Sequence, residues 1–169
     1  GAQLVVIGDG EDRDSLLSLV NDLGLSHLVH FVGEREDVAD WLCSDVDAFI
    51  SGARYEAFGL VLAEAGLAGL PVIAPRIGGI PEFIQHNRTG LLFDPSNPID
   101  EMCHQMTRLM SDGALGEDLA TQLHHLVHSK LTIEANTRQF ENLYHKVIRQ
   151  NDSSCLLNGL KPLVRWAFH

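Results

Sequence analysis

The sequence predicts an α/β fold: a doubly wound, mostly parallel sheet with helices on both faces, followed by a helical C-terminal part. Short apolar segments rich in Val, Ile and Leu alternate along the chain with segments of helical period. Continuous apolar runs are typical of strands that are buried on both faces of a parallel sheet. No two of these runs are joined by a hairpin turn, so each connection is expected to cross over through a helix.

The elements follow in order from these patterns. The first apolar run, 4–7, ends at a glycine turn, and the amphipathic segment 12–23 stops at Gly24. Further strands are predicted at 28–32, 46–50, 71–74 and 91–93. Further helices are predicted at 36–43, from 58 or 59 to 68, after the loop 76–82 as far as 86, and at 98–111, 114–129 and 132–150. The chain therefore divides into a domain at 1–150 and a tail at 151–169, which is polar at first and then apolar.

Composition excludes several classes of function. A net charge of −11 over 169 residues argues against unspecific binding of nucleic acid, which relies on Lys and Arg. Three widely spaced cysteines form neither a disulfide framework nor a zinc motif, which favours a reducing, cytoplasmic location. No apolar run reaches the ~18 residues of a membrane span, and no signal peptide is visible. The chain enters a strand almost at once, so we expect an excised fragment.

The stretch 54–74 holds the candidate site. It contains a loop with Glu56, a helix with Glu64 and the start of the next strand. In open α/β sheets, phosphorylated ligands bind where a helix begins at the carboxyl end of a strand. Neighbours Leu60 and Leu67 predict that this helix is largely buried, where an unpaired carboxylate is costly. The pattern therefore predicts a binding site rather than a surface turn.

The same stretch resembles a known signature. The segments EAFGLVLAEA (56–65) and GLPVIA (69–74) are similar to the signature of family 4 retaining glycosyltransferases of the GT-B fold. Four flanking segments agree in order and spacing: VVIGDG (5–10), FVGEREDV (31–38), GGIPE (78–82) and TGLL (89–92). The match covers roughly 3–148, and the set of motifs is specific although a single glycine pair would be weak.

The resemblance implies the nucleotide-sugar-binding, Rossmann-like half of a two-domain enzyme. Such an enzyme transfers a sugar from a nucleotide diphosphate sugar to an acceptor hydroxyl with retention, here in bacterial polysaccharide or glycolipid synthesis. The acceptor-binding half and the first strand–helix unit of this half are missing from the match, so the fragment alone is expected to be inactive. No cofactor or metal is implied. Peripheral contact with the inner face of the plasma membrane is expected only through the full-length enzyme.

The resemblance also implies roles for individual residues, according to their positions in the matching motifs. The resemblance places Glu56 beside the donor sugar, as the catalytic carboxylate, and Glu64 at the ribose hydroxyls. The backbone N–H groups of the helix start would hold the diphosphate; they belong to Ala57, Phe58, Gly59, Leu60 and Val61. The turn glycines Gly78 and Gly79 would offer N–H groups to phosphate or sugar, Arg35 would stack on the base, and Gly8 and Gly10 would face the same cleft.

Structural alternatives stand beside these roles. Glu56 could be a solvated loop acid or helix cap, the glycine pair a tight turn, and Arg35 a surface residue paired with Glu34 or Glu36. The Asp45-Val-Asp47 segment is similar to a metal motif of other transferases but lies at a strand entry. His124 and His128 share a helix face without an evident third ligand and are expected to be solvated, and Cys43 and Cys103 to be buried.

Two rival functions remain open. A nucleotide-sugar 2-epimerase of the GT-B fold fits the predicted sheet but not the spacing from Glu56 to Glu64. The other rival is a donor-binding or interaction module without catalysis. An assay of the full-length protein separates the three, since a new glycoside, a changed free nucleotide sugar and no product are different outcomes.

Overall fold

The computed structural model describes residues 1–152. Five strands and five helices alternate over residues 4–111, and two further helices follow, as predicted. The strands are β1 (Leu4–Ile7), β2 (Val29–Gly33), β3 (Phe49–Ile50), β4 (Val72–Pro75) and β5 (Leu91–Phe93). The helices are α1 (Arg13–Asp22), α2 (Val38–Leu42), α3 (Leu60–Leu67), α4 (Ile80–Phe83), α5 (Pro98–Ser111), α6 (Gly113–Lys130) and α7 (Ile133–Asp152). The predicted tail at 151–169 lies outside the described residues apart from the end of α7.

All the strand pairs are parallel, which confirms the predicted fold class. Strand β1 pairs with β2, while β4 lies between β3 and β5 in a second sheet. The two sheets share no hydrogen-bonded strand within residues 1–152, whereas the sequence predicted one continuous sheet. In each sheet, parallel strands place all the loops that follow them at one edge.

Helices cover both faces of the three-stranded sheet because successive side chains of β4 point to opposite sides. Val72 and Ala74 belong to a cluster with residues of α3, α4 and α6. Ile73 points the other way and packs with Leu91, Phe93 and apolar residues of α5 and α6. All four residues of β4 are buried, so this strand is the centre of the core.

The first sheet is much less covered. Leu4 of β1 is 46% exposed and Val5 is 38% exposed, although both lie in an apolar strand. Helix α1 has no buried residue. At the other end of the described chain, several large apolar side chains of α7 are also exposed, among them Phe140, Leu143, Tyr144 and Val147. None of the helices in 1–152 combines the length and the apolar character needed to cross a bilayer.

Several predicted boundaries shift for local reasons. Strand β3 holds two residues rather than five, because its ladder with β4 includes only Phe49 and Ile50. Helix α4 ends at Phe83 rather than at 86, because the Gln85 N–H donates a hydrogen bond to Thr89 Oγ1 at 2.8 Å. The prediction that Cys43 and Cys103 are buried is wrong, since both are exposed.

Candidate functional site

The loop between β3 and α3 is organised by the carboxylate of Glu56. Glu56 Oε1 accepts hydrogen bonds from the backbone N–H groups of Phe58 at 3.2 Å and of Gly59 at 2.9 Å. Gly59 caps α3 with φ of +92°, a backbone conformation that favours glycine. The carboxylate therefore satisfies two donors that the helix itself leaves without partners.

The first turn of α3 keeps two backbone donors free. The Leu62 and Ala63 N–H groups both donate to the Gly59 carbonyl. The N–H groups of Leu60 and Val61, the first two residues of the helix, form no backbone hydrogen bond within residues 1–152. Unpaired N–H groups at a helix start favour an anion. Five backbone N–H groups were predicted to hold the diphosphate. Three of them are therefore open to a ligand, those of Ala57, Leu60 and Val61.

Glu64 lies on the exposed side of α3. Leu60 is 68% exposed and Leu67 is 46% exposed, and with Glu64 they form one stripe at spacings of four and three residues. Burial is confined to the other side of the helix, at Leu62, Ala63, Ala65 and Gly66. The prediction that this helix is largely buried is therefore wrong for the face that carries Glu64. Its carboxylate has no hydrogen-bond partner among the described residues, which leaves both oxygens open.

The turn after β4 packs directly on the Glu56 loop. The Gly79 N–H donates to the Ala57 carbonyl at 3.0 Å. A Cβ at Gly78, where φ is +50°, would lie 1.7 Å from the Glu56 carbonyl oxygen, and one at Gly79 would lie 2.4 Å from that of Ala57. Only glycine allows backbone to approach backbone so closely.

Aromatic packing also holds the Glu56 loop against the segment that follows β4. The rings of Phe58 and Phe83 stack with centroids 5.0 Å apart. Phe83 is 4% exposed, so it ties the ring of Phe58 to the core. This contact could not be predicted from the sequence, because nothing in the spacing of the two residues links them. Glu82, in the first turn of the same short helix, is exposed.

Arg35 is held by the carboxylate of Asp37, two residues further along the chain. Its Nε and Nη2 donate to the two carboxylate oxygens of Asp37 at 2.8 and 2.7 Å, and its guanidinium lies 5.8 Å from the centre of the Trp41 ring. The bond from Arg35 holds the pKa of the Asp37 carboxyl below its usual range. The partner is thus Asp37 and neither of the predicted ones, Glu34 and Glu36, although the Arg-x-Asp spacing is visible in the sequence. A bidentate pair keeps the guanidinium plane in a defined orientation.

Gly8 and Gly10 follow β1 at the edge where Arg35 follows β2. The Gly8 N–H donates to the Gly33 carbonyl at 2.7 Å, and the Gly10 N–H donates to Asp9 Oδ1 at 2.8 Å. The structure thus brings these glycines close to the turn that carries Arg35. It brings Glu56, Gly78 and Gly79 together as a second group. Within 1–152, no hydrogen bond or ion pair links Glu56 or Glu64 to Arg35.

The metal candidates show no assembled site in the described part of the chain. There, no three or more His, Cys, Asp or Glu side chains are grouped so that they could hold a metal ion. The rings of His124 and His128 lie 6.0 Å apart and nearly parallel on α6. His128 is exposed and His124 is half-buried.

Comparison with known proteins gives the family. The family described as glycosyl transferases group 1 matches residues 1–124. N-acetyl-alpha-D-glucosaminyl L-malate synthase of Bacillus anthracis is 33% identical over 150 residues, which are 89% of this chain and 39% of that protein. A GDP-mannose-dependent alpha-(1-6)-phosphatidylinositol monomannoside mannosyltransferase of Mycobacterium tuberculosis is 35% identical over 136 residues, covering 72% of this chain and 35% of that protein.

A solved structure agrees with these relatives. Anabaena Alr3699/HepE in complex with UDP-glucose superposes with a TM-score of 0.75 at 25% identity, over 85% of this chain and 41% of that one. The chain spans 39% and 35% of the lengths of these two curated relatives. Its fold is that of the C-terminal domain of GT-B glycosyltransferases, and the chain belongs to the glycosyl transferases group 1 family.

Proposed function

We propose that residues 1–150 are the nucleotide-sugar-binding domain of a family 4 retaining glycosyltransferase. The observation that carries the proposal is the arrangement around α3. Glu56 precedes the helix, the first two residues of the helix have free N–H groups, and Glu64 is exposed one turn further along. This order matches the parts of a nucleotide diphosphate sugar: sugar, diphosphate and ribose. The solved relative that is bound to UDP-glucose supports the same class of ligand.

Each group has a physical task in this proposal. The N–H groups of Leu60 and Val61 neutralise the diphosphate together with the positive end of the helix dipole. The carboxylate of Glu64 accepts hydrogen bonds from the ribose hydroxyls, and charged acceptors make these bonds strong. The guanidinium of Arg35, already oriented by Asp37, offers a flat face for the base. Neither a cofactor nor a metal ion has a role in this scheme.

The reaction proposed for the full-length enzyme is front-face transfer of a hexose. The acceptor oxygen attacks the anomeric carbon from the side of the leaving diphosphate, so the configuration is retained. The bond from that carbon to the phosphate oxygen breaks, the new glycosidic bond forms, and the diphosphate takes the acceptor proton. Glu56 stabilises the positive charge that develops at the anomeric carbon, and the helix N–H groups stabilise the leaving group.

We place this reaction in bacterial glycolipid or polysaccharide synthesis, in the cytoplasm at the inner face of the plasma membrane. The lipid-linked acceptor named for the mycobacterial relative supports this assignment. An acceptor-binding domain supplied by the rest of the enzyme would complete the active site and meet the membrane. Sedimentation of the full-length enzyme with anionic and neutral vesicles tests this: binding to neither would contradict it.

Isothermal titration of the chain with UDP, GDP, ADP and TDP, and with a sugar conjugate of each, tests the central claim. We expect one nucleoside diphosphate to bind selectively, and we expect thermal stabilisation that rises with its concentration. Binding of none of them at millimolar concentration would refute the proposal. Product analysis with the full-length enzyme then separates a transferase from an epimerase or a module without catalysis.

A further inference from the structure

His124 and His128 are four residues apart on α6, so their side chains lie on the same face of the helix. Their ring centres are 6.0 Å apart, and the ring planes are inclined to each other by only 18°. Neither ring takes part in a hydrogen bond within residues 1–152. A neutral imidazole has one nitrogen with a lone pair, so each ring has a nitrogen available to a metal ion.

The backbone that carries the two rings is anchored in the core. Leu123 is 0% exposed and Val127 is 2% exposed, and both belong to the apolar cluster that α6 shares with α3 and α4. These two residues directly precede His124 and His128 in the chain. The spacing of the pair is therefore set by the fold, and only side-chain torsions have to change when an ion binds. An ordered site loses less conformational entropy on binding.

An open groove beside His124 has space for further ligands of an ion. Its volume is about 390 Å³, and it is lined by Gly69, Glu117, Ala120, Thr121, His124 and His125. Since one water occupies about 30 Å³ in the liquid, several waters fit there. With metal–nitrogen bonds of about 2.1 Å in a tetrahedral arrangement, the two ring centres would lie about 5 Å apart, about 1 Å closer than they are. The exposed ring of His128 is able to make this movement.

The ligand type selects the kind of ion. Imidazole nitrogens suit Ni²⁺, Cu²⁺ and Zn²⁺, whereas Mg²⁺ and Ca²⁺ prefer oxygen ligands. Within residues 1–152 no third His, Cys, Asp or Glu completes the group, so waters would fill the remaining positions. The net charge of −11 raises the concentration of cations around the protein. Glu117, an exposed acid that lines the groove, adds to this attraction locally.

We propose that His124 and His128 form a two-histidine site for a divalent transition metal on α6. The site is separate from the candidate donor site, since Glu56, Glu64 and Arg35 belong to other elements. The ion would bridge two successive turns of α6 through two coordination bonds, and it would stabilise the folded chain by mass action. The proposal does not depend on the proposed function.

Calorimetric titration of the chain with NiCl2 at pH 7.5 tests the site, with MgCl2 as the control ion. We expect a single strongest site that takes one Ni²⁺ per chain. We also expect the midpoint of thermal unfolding to rise with the Ni²⁺ concentration, because the ion binds the folded chain. Mg²⁺ at the same concentrations should leave the midpoint unchanged. Absence of Ni²⁺ binding at millimolar concentration would overturn the proposal.

Two substitutions each remove one of the ligands, His124→Asn and His128→Asn. We expect each to lower the Ni²⁺ affinity about tenfold or more, because the second imidazole no longer binds the ion within the same molecule. The controls are His125→Asn, on the adjacent residue, and His104→Asn, on α5; both residues are exposed. Both controls should keep an affinity within about twofold of wild type.

The variants also identify the wrong site if the ion binds elsewhere. Wild-type Ni²⁺ affinity in His128→Asn would overturn the proposal, since the ion would then bind other members of the nine histidines. A loss in His125→Asn as large as that in His124→Asn would overturn it too. If His124→Asn does not fold, His128→Asn decides alone, because that side chain is exposed. No nucleotide is used, so failure of the proposed function leaves these outcomes unchanged.

Discussion

The side chain of Leu123 lies directly against the backbone of Gly66, where α6 packs on α3. A Cβ on Gly66 would meet Leu123 Cγ at 2.6 Å and Cδ2 at 2.9 Å. Leu123 is fully buried, with 0% of its surface exposed, so it has no free space to move into. The absence of a side chain at residue 66 therefore sets how closely α6 approaches the helix that carries Glu64.

Gly66→Ala is expected to lower the free energy of unfolding by about 1–3 kcal/mol, because the added methyl group overpacks this contact. Gly113→Ala is the matched control and should be neutral or slightly stabilising, since its Cβ has open space. Urea denaturation measures both. Equal stability of the two variants would show that α3 and α6 separate without cost.

Thr89→Val is expected to destabilise the fold by about 1–3 kcal/mol, because it removes a buried hydroxyl that two backbone groups use. Thr89 Oγ1 donates to the Phe83 carbonyl at 2.9 Å and accepts from the Gln85 N–H at 2.8 Å. Thr107→Val is the control: its hydroxyl is exposed and bonds only to Cys103, in the preceding turn of α5. Denaturation midpoints that do not differ would contradict a structural role for Thr89.

Glu64→Gln is expected to lower nucleotide affinity about tenfold, since a charged acceptor for the ribose hydroxyls becomes a neutral one. Its unfolding midpoint should not change, because Glu64 is exposed and has no partner among the described residues. Calorimetry and thermal unfolding measure the two effects. Glu117→Gln, another exposed helical acid, should bind like wild type. Unchanged affinity in Glu64→Gln would show that the ribose assignment is incorrect.

Acidification is expected to destabilise the protein through His86. Burial, together with the nearby charges of Arg76 and Arg108, lowers the pKa of His86, and Glu101 opposes this weakly. The neutral ring accepts the Leu92 N–H at Nδ1, at 3.0 Å. Because the unfolded chain takes up the proton first, this contribution is complete above the unfolded pKa of about 6.5 and decreases as the pH falls toward the lower folded value.

The check is the free energy of unfolding of His86→Asn at pH 7.5 and pH 5.0. Asn keeps an acceptor in place and does not titrate, so the variant should lose less stability than wild type over this range. His104→Asn, on the exposed side of α5, should follow the wild type. If His86→Asn has the same pH dependence as wild type, His86 does not sense pH.

Sequence patterns located several elements well where a continuous apolar run or a helical period marks them. The apolar runs of β1 and β5 have the predicted bounds, as does α5. Sequence patterns failed where a single hydrogen bond determines the end of an element. The hydroxyl of Thr89, for example, ended α4. The stripe around Glu64 was misjudged because Leu and Ala on all sides of a short helix give no periodicity.

The candidate site could likewise be predicted from the sequence only in part. The order of Glu56, helix start and Glu64 could be read from the chain, because it depends on sequence spacing and on the rule for parallel strands. The Gly79 bond to Ala57 and the stack of Phe58 on Phe83 could not. They join segments about 20 to 25 residues apart, and no periodicity encodes such contacts.

The separation of the two sheets has a consequence for local stability. Since β1 and β2 share no ladder with β3, β4 and β5, opening the first pair breaks no hydrogen bond of the second sheet. The first pair and α1 also bury few side chains, whereas β4 and β5 are fully buried. Amide protons of 4–33 are therefore expected to exchange with solvent before those of 72–93, as an independent cooperative unit. A ligand held by both Glu64 and Arg35 would join the two units and slow the exchange of the first.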